Sequence, residues 1–270
     1  MKSNEITNLL WTGGRDSTFR LLFLLLVKHR HVQLYYIIDP ERKSTLFESR
    51  AMQEIRQHIF AGYPDIKDLL RSTRYVERFG IQPNKGITQS YQRISGTHYE
   101  RLGTQYDWIA RFAHESGTDD LELSVHYRGG KAYNVLEAFV VKLDEEGDSF
   151  FKIDPKYNGS DEHTLFRYFR FPILTLTMND MEKISRNEGF DEFMGLTWFC
   201  HTPRANGAPC GVCNPCIFKI EGGFGRSIPF SSRIRYHLRY LRLGRMGPAL
   251  VKYPRLYGFL KSVRHKIHSN

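Results

Sequence analysis

A seven-residue segment near the start of the chain combines two glycines with hydroxyl and carboxyl side chains: T-G-G-R-D-S-T, residues 12–18. It lies between a run typical of a buried strand (6–12) and an apolar run typical of a helix. Glycines let the backbone bend sharply and approach a ligand closely, and the first amides of a helix favour an anion. The segment therefore predicts a phosphate-binding turn, in which Asp16 would hold a metal ion or orient the backbone. A turn that binds nothing is the alternative.

Four cysteines form the second group of residues that could do chemistry. Cys200, Cys210, Cys213 and Cys216 fall close together late in the chain, whereas a secreted disulfide scaffold spreads its cysteines through the fold. Four thiolates separated by short loops suit tetrahedral Zn²⁺, and such a site is structural because no position is left for water. An iron–sulfur cluster is the alternative. We expect a structural zinc knot.

The segments around these residues predict an α/β fold. Strand-like runs at 6–12 and 33–38 alternate with helix-like runs at 18–30 and 48–60, the pattern of a parallel sheet covered by helices. Further along, the sequence predicts strands at 74–79, 121–125 and 171–176, helices at 101–115 and 179–187, and a hairpin within 127–165. Ligands bind at the carboxyl ends of strands in such sheets, so residues 12–18 are well placed to bind one.

Composition excludes several classes of protein. With 41% hydrophobic and 25% charged residues the chain is neither disordered nor collagen-like nor a coiled coil. Its longest apolar run, residues 21–27, is far shorter than the roughly 18 residues of a spanning helix. We expect no signal peptide in the first residues, because no apolar stretch follows them until a strand-like segment. We therefore expect a cytoplasmic protein.

The positive charge is concentrated at the C-terminal end. The net charge is +10, but residues 221–270 hold 11 lysines and arginines and a single acid, Glu221. Apolar residues Ile234, Leu238 and Leu241 have helical spacing within this basic segment. Three interpretations stay open: binding of nucleic acid, association with an anionic membrane, and packing of the apolar face on the body or on a partner protein.

The glycine-rich segment resembles the S-G-G-x-D-S loop of the PP-loop ATP pyrophosphatases, with Thr12 in place of the first serine. Members of that family bind the pyrophosphate of ATP there and transfer AMP to a carboxyl, carbonyl or similar oxygen. The resemblance implies a doubly wound sheet of the adenine nucleotide alpha-hydrolase type, with ATP and Mg²⁺ as ligands. It assigns nucleotide binding to the whole loop: Thr12, Gly13, Gly14, Arg15, Asp16, Ser17 and Thr18. Asp16 and Ser17 are the expected catalytic residues within it.

A second resemblance covers the cysteines. The segments L-T-W-F-C (196–200) and C-G-V-C-N-P-C (210–216), followed by Lys219 and Gly223-Phe224, resemble the C-terminal signature of the 7-cyano-7-deazaguanine synthases. These enzymes adenylate the carboxylate of 7-carboxy-7-deazaguanine. Ammonia then gives an amide, and a second activation dehydrates it to the nitrile used for queuosine and related nucleosides. The resemblance implies the same ATP-dependent carbon–nitrogen ligase chemistry for this chain.

The resemblance also suggests positions outside the two motifs. Ile38 and Asp39, at the end of the second predicted strand, would lie near adenine. Gly103 aligns with a middle motif that in the family reads roughly V-P-x-R-N, but Thr104 and Gln105 replace the Arg-Asn pair. This departure lies where substrate is expected, so the acceptor could differ. Relatives from bacterial anti-phage systems use the same activation to attach a deazaguanine to a protein amine.

The segment after the fourth predicted strand holds further candidates. Lys131, the third expected catalytic residue, and Arg128 could meet the α-phosphate, or could form an exposed basic turn. His126 could contact the ligand, or be a satisfied histidine at a strand end. Glu182 and Lys183 are expected on a solvated helix face.

Three domains are predicted: an ATP-binding α/β domain (1–195), the zinc knot (196–230) and a basic helical tail (231–270). A non-catalytic nucleotide- or RNA-binding protein on this fold is the alternative from a different class. The nitrogen nucleophile and the oligomeric state stay open, with a homodimer among the alternatives.

Overall fold

The structure, a computed structural model, describes residues 6–96, 102–223 and 227–240. They divide into two compact units. The first consists of the described residues of Met1–Pro40 and Thr45–Trp198, and the second of those of Glu41–Ser44 and Phe199–Asn270. The domain boundaries given by the sequence stay predictions.

Parallel strands form the centre of the first unit. The strands are β1 (Ile6–Leu10), β2 (His31–Ile38), β3 (Arg74–Glu77), β4 (Leu121–Glu122), β5 (Val140–Glu145), β6 (Asp148–Ile153) and β7 (Phe169–Arg170). Five of them form one sheet in the order β3-β2-β1-β4-β7, and each neighbouring pair is parallel. β5 and β6 form an antiparallel hairpin, as predicted within residues 127–165.

The helices follow the predicted alternation in the first part of the chain. They are α1 (Arg15–Leu22), which continues as a π-helical turn (Phe23–Val27), α2 (Thr45–Gly62), α3 (Lys85–Gly96), α4 (Gln105–Ser116), α5 (Lys131–Leu136), α6 (Asp161–Phe166), α7 (Met178–Asn187), α8 (Asn214–Glu221) and α9 (Phe230–Tyr240). α7 corresponds to the helix predicted at 179–187, and its N-cap residue Thr177 forms a capping box with Asp180. No helix of the described residues is long and apolar enough to cross a membrane.

Side chains alternate between the two faces of the sheet, and each face is covered by helices. Leu9, Leu34 and Tyr36 are buried in one apolar cluster with side chains of α1, α2 and α7. Leu10 and Tyr35, the adjacent residues along β1 and β2, are buried in a second cluster with side chains of α3, α4 and α6. Helices on both faces of a parallel sheet confirm the α/β prediction and fit a doubly wound fold.

The predicted strand at 171–176 is wrong. The strand next to β4 is β7, which ends at Arg170. Phe171 instead exchanges backbone hydrogen bonds of 2.9 and 3.2 Å with Phe151 of β6. These bonds attach the hairpin to the chain just after β7, the edge strand of the sheet. Pro172, the next residue, lacks the amide hydrogen that a sheet ladder needs. The apolar composition that suggested a strand reflects burial in the core.

A buried charged triad connects α1, β4 and the hairpin. The Arg20 guanidinium donates to both carboxylate oxygens of Glu122, at 2.7 and 2.8 Å, and to both oxygens of Asp148. All three residues are buried. Burial by itself lowers the pKa of Arg20, but the attraction and hydrogen bonds of Glu122 and Asp148 outweigh it and raise the pKa. The guanidinium therefore stays charged and is shared by two carboxylates.

Arg20→Met is expected to lower the free energy of unfolding by about 3–5 kcal/mol, because it leaves two buried carboxylates unpaired. Arg93→Met is the matched control: Arg93 also binds a carboxylate through two nitrogens, that of Asp161, but its side chain is 58% exposed. Urea unfolding would give both values. A loss for Arg20→Met no larger than for Arg93→Met would contradict the structural role of the triad.

Candidate functional site

The strand order creates a crevice between β1 and β4. These strands are neighbours, but from β1 the sheet continues to β2 and β3, and from β4 it continues to β7 on the other side. In open α/β sheets a ligand binds at such a switch point, outside the carboxyl ends of the two strands. Residues 11–14 leave β1 there and lead into α1, and residues 123–130 leave β4 and lead into α5. The predicted phosphate-binding turn thus lies where the fold favours a ligand.

The turn between β1 and α1 has the backbone geometry that an anion site needs. Gly14 is the N-cap residue of α1, and no side chain among the described residues caps this helix. The first helical hydrogen bond runs from the Thr18 amide to the Gly14 carbonyl, at 3.0 Å. Gly13 has a φ of +65°, and its carbonyl accepts from the Trp198 amide at 2.9 Å. The amides of the first turn of α1 can therefore bind an anion, aided by the helix dipole.

Gly13→Ala is expected to lower the free energy of unfolding by about 1–2 kcal/mol from its left-handed φ alone. A Cβ there would also lie 3.0 Å from the Glu48 carbonyl oxygen and from the Met52 Cγ. Gly14→Ala is the matched control, since Gly14 has an ordinary φ of −77° and its Cβ would meet the Thr12 hydroxyl oxygen at 3.2 Å. Thermal or urea unfolding of both variants would show whether Gly13→Ala loses more stability than Gly14→Ala. Equal losses would show that the conformation of Gly13 is not required.

Asp16 and His126 meet across the crevice. The Asp16 Oδ2 lies 3.2 Å from the His126 Nδ1, and their side chains are 34% and 17% exposed. Burial by itself lowers the pKa of His126, but the hydrogen bond and charge of Asp16 outweigh it and raise the pKa. A Cβ at Gly129 would lie 2.5 Å from the ring Cε1, so the glycine lets the turn close over the imidazole. The sequence left the role of His126 open. In the structure its imidazole contacts the Asp16 carboxylate.

Tyr106 of α4 belongs to the same charged environment. Burial raises the pKa of the Tyr106 phenol, and the negative charge of Asp16 raises it further. The sequence gives no signal for this residue, because an aromatic residue in a helix is ordinarily a core residue. Gly103, the residue predicted in this segment, precedes α4, and its carbonyl accepts from the Tyr106 amide at 3.1 Å.

Within the loop itself, the hydroxyl groups contact the protein. The buried Thr18 hydroxyl accepts from the Trp11 indole N–H at 3.0 Å. The Ser17 hydroxyl lies 3.4 Å from both the Thr12 amide and the Gly14 carbonyl. These contacts hold the turn, and a role for Thr12, Ser17 or Thr18 in ligand binding stays a prediction.

Arg15 is paired with a residue from a distant helix. Its Nη2 lies 2.7 Å from the Glu182 Oε2 of α7, which also binds Arg186. The Glu182 side chain is 26% exposed, so the expectation that it lies on a solvated helix face needs correction: it is half-buried against Arg15. Because 167 positions separate the two residues, no local spacing could have predicted the pair.

The remaining predicted residues occupy the expected strand ends. Ile38 ends β2, and the following Asp39 has a buried carboxylate that accepts from Arg78 at 2.9 Å. The Asp39 carbonyl accepts from the Thr45 hydroxyl at 2.7 Å, which joins the end of β2 to the start of α2. Lys131 is the exposed first residue of α5. Contacts of these residues with a nucleotide stay predictions.

The four cysteines of the second unit converge as predicted. Their sulfur atoms all lie within 4.8 Å of one another, and Cys200, Cys210 and Cys216 are buried. Two Sγ–Sγ distances, Cys210 to Cys216 and Cys200 to Cys213, are 3.9 Å. Tetrahedral zinc with Zn–S bonds of about 2.3 Å would require sulfur atoms about 3.8 Å apart. The cluster therefore has the size of a four-cysteine metal site.

The surroundings of the sulfur atoms also fit a metal. The amides of Val212 and Cys213 and the Thr202 hydroxyl each donate to the Cys210 sulfur at 3.3 Å, and the Cys210 amide donates to the Cys200 sulfur at 3.1 Å. Such donors stabilise thiolates. Hydrogen bonds with Cys200 and Cys216 hold the pKa of Cys213 far below its usual range, and the interaction with the Cys213 thiolate raises the pKa of Cys200. A divalent cation would allow all four to ionise together.

Gly211→Ala is expected to weaken metal binding by at least about tenfold, because it displaces the donors around the cysteines. Gly211 has a φ of +79°, and a Cβ there would lie 2.0 Å from the Ser232 carbonyl oxygen. Gly223→Ala is the matched control, with a φ of +85° and nothing within 4 Å of its Cβ. Chelator competition would compare the two affinities. Equal weakening would mean that backbone strain alone, and not the contact with Ser232, is responsible.

Comparison with known proteins agrees with one of the sequence resemblances. No family model matches the chain. The chain is similar to a 7-cyano-7-deazaguanine synthase of Rhizorhabdus wittichii, with 24% identity over 148 residues. The match covers 54% of this chain and 57% of that protein, so it spans little more than half the length of the relative. The resemblance to a 7-cyano-7-deazaguanine synthase is confirmed, as that of a divergent relative.

Proposed function

We propose that this protein is an ATP-dependent carbon–nitrogen ligase that adenylates the carboxylate of 7-carboxy-7-deazaguanine or a close analogue. The observation that carries the proposal is the position of residues 12–18, with their uncapped helix start, at the switch point of the sheet. The similarity to a 7-cyano-7-deazaguanine synthase supports the choice of substrate. ATP would bind with its phosphates at residues 12–18, and Ile38 and Asp39 at the end of β2 would border the adenine.

The chemistry explains why such a site is needed. A carboxylate is a poor electrophile until one of its oxygens becomes part of a good leaving group. In the proposed reaction that oxygen attacks the α-phosphorus of ATP, the bond to the pyrophosphate breaks, and an acyl-adenylate forms. A nitrogen nucleophile then displaces AMP to give an amide. With ammonia, the amide oxygen would be adenylated in a second round, and loss of AMP and protons would leave the nitrile.

The residues of the crevice would divide this work. The amides at the start of α1 would bind the departing pyrophosphate, whose charge develops in the transition state. Asp16 would hold Mg²⁺, which neutralises phosphate charge when it is bound. The carboxylate is suited to this role, because Mg²⁺ prefers oxygen ligands and Asp16 is only partly buried. His126 contacts the same carboxylate and would keep it oriented.

Mass spectrometry of the reaction products tests the proposal. Purified protein would be incubated with ATP, Mg²⁺ and 7-carboxy-7-deazaguanine, with and without ammonium. The expected product is ammonium-dependent nitrile, and Asp16→Ala should abolish it. Adenylate or amide without nitrile would support activation and indicate another acceptor, such as a protein amine, to be sought as the added deazaguanine mass on partner proteins. No turnover of ATP with this acid would overturn the substrate assignment.

A further inference from the structure

The helix α9 is attached to the cysteine cluster by its polar face. Ser232 is fully buried, its hydroxyl donates to the Pro209 carbonyl, and its own carbonyl faces Gly211. One turn further along, the Tyr236 hydroxyl donates to Glu221 of α8 at 2.9 Å. Residues 232 and 236 are four positions apart and so lie on one face of the helix. This face holds α9 within the second unit.

The apolar residues of α9 lie on a different face. Phe230, Ile234 and Leu238 are also spaced by four residues and form a stripe along the helix. Phe230 is 70% exposed and Ile234 is 39% exposed, whereas Leu238 is partly buried. A helix of a globular protein ordinarily turns its apolar stripe towards the core. In α9 the polar residues take the buried position, and the apolar stripe is left largely to the exterior.

Basic residues flank this apolar stripe. Arg233 lies on one side, with its guanidinium 5.7 Å from the centre of the Phe230 ring, and Arg235 and Arg239 follow on the other side. The sequence that follows α9 is also basic: residues 241–270 include seven lysines and arginines and no acid. Within α9 the stripe is thus bordered by arginines, and its natural complement is an apolar surface bordered by negative charge.

We propose that α9 is a membrane-surface helix, which inserts Phe230 and Ile234 at the boundary between headgroups and acyl chains of an anionic bilayer while its arginines bind the lipid phosphates. An apolar stripe with arginines at its borders is the composition of helices that lie in the membrane interface. A nucleic acid satisfies the arginines but not the stripe, because Ile234 and Leu238 are aliphatic and offer no ring for a base to stack on. The proposal is independent of the reaction proposed above.

Vesicle flotation with the full-length, metal-loaded protein tests this. Vesicles of phosphatidylcholine would be compared with vesicles that also contain phosphatidylglycerol. We expect binding only to the anionic vesicles, about tenfold weaker binding for Phe230→Ser, and about fivefold weaker binding for Arg239→Gln. Phe79→Ser is the matched control, since Phe79 is 65% exposed but lies in the first unit. It should bind like the unmodified protein.

The metal content of each variant would show whether the second unit is intact, and if Phe230→Ser loses metal, Ile234→Ser and Arg239→Gln decide the result. Equal binding to neutral and anionic vesicles, no binding to either, or unchanged binding of the stripe variants would overturn the proposal. Tight, salt-sensitive binding to an RNA fragment that Phe230→Ser leaves unchanged, with no vesicle binding, would assign the basic segment to nucleic acid instead.

Discussion

Replacing Asp16 with asparagine is expected to slow the formation of AMP from ATP by about 10²- to 10³-fold while leaving the fold unchanged. The substitution keeps the size of the side chain and removes the charge that would hold Mg²⁺ beside the pyrophosphate. Asp16 is 34% exposed and lies in the first turn of α1, so the amide can be solvated and stability should change little. A lower rate of AMP formation would therefore reflect a slower reaction and not unfolding of the protein.

Asp65→Asn is the control for this variant, because Asp65 is an exposed carboxylate in the first turn of the short 3₁₀ helix Pro64–Leu69. Initial rates of AMP release at saturating ATP, together with unfolding curves, would be measured for both. Full activity of Asp16→Asn would remove the carboxylate from the proposed mechanism. A large loss of stability in the same variant would assign Asp16 a structural role instead.

Replacing Cys216 with serine is expected to weaken metal binding by about 10²- to 10³-fold and to unfold the second unit. Structural zinc contributes about 10–16 kcal/mol in small zinc domains, and each of four ligands supplies a share of it. The two large apolar clusters of the described residues contain only residues of the first unit. Ile217 and Ile228 are the buried aliphatic side chains described in the second unit. With so small a core, this unit needs its metal.

Limited proteolysis and metal analysis would measure this effect. In Cys216→Ser, or after chelation, cleavage should begin within residues 199–240 while the first unit stays protected. Thr202→Val is the milder comparison: it removes one donor to the Cys210 sulfur and should weaken metal binding by about tenfold. Unchanged protection of the second unit after complete metal removal would contradict a structural role for the metal.

Local features of the fold could be predicted from the sequence. The cysteine spacing predicted a cluster because short loops restrict where the sulfur atoms can lie. The run of alternating strands and helices up to residue 60 predicted the parallel sheet, and the helix predicted at 179–187 corresponds to α7. Each of these depends on residues close together in the chain.

Features that depend on distant residues could not be predicted. The partners of Arg20 lie 102 and 128 positions away, and Asp16 and His126 are 110 positions apart. The prediction of a strand at 171–176 was wrong for a related reason. The same apolar residues serve a strand or a buried loop, and the contact with Phe151 decides between them. The orientation of α9 could not be predicted either, because the helical spacing of its apolar residues defines a stripe but does not show which face of the helix is buried.

In the proposed reaction this protein cleaves ATP between the α- and β-phosphates to activate a carboxylate. Phosphorus NMR of ATP and Mg²⁺ with the protein, before and after addition of 7-carboxy-7-deazaguanine, measures this directly. We predict that AMP and pyrophosphate appear in equal amounts only after the acid is added, and that Asp16→Asn produces neither at a comparable rate. Formation of ADP and phosphate, or turnover that does not depend on the acid, would contradict adenylation of this carboxylate.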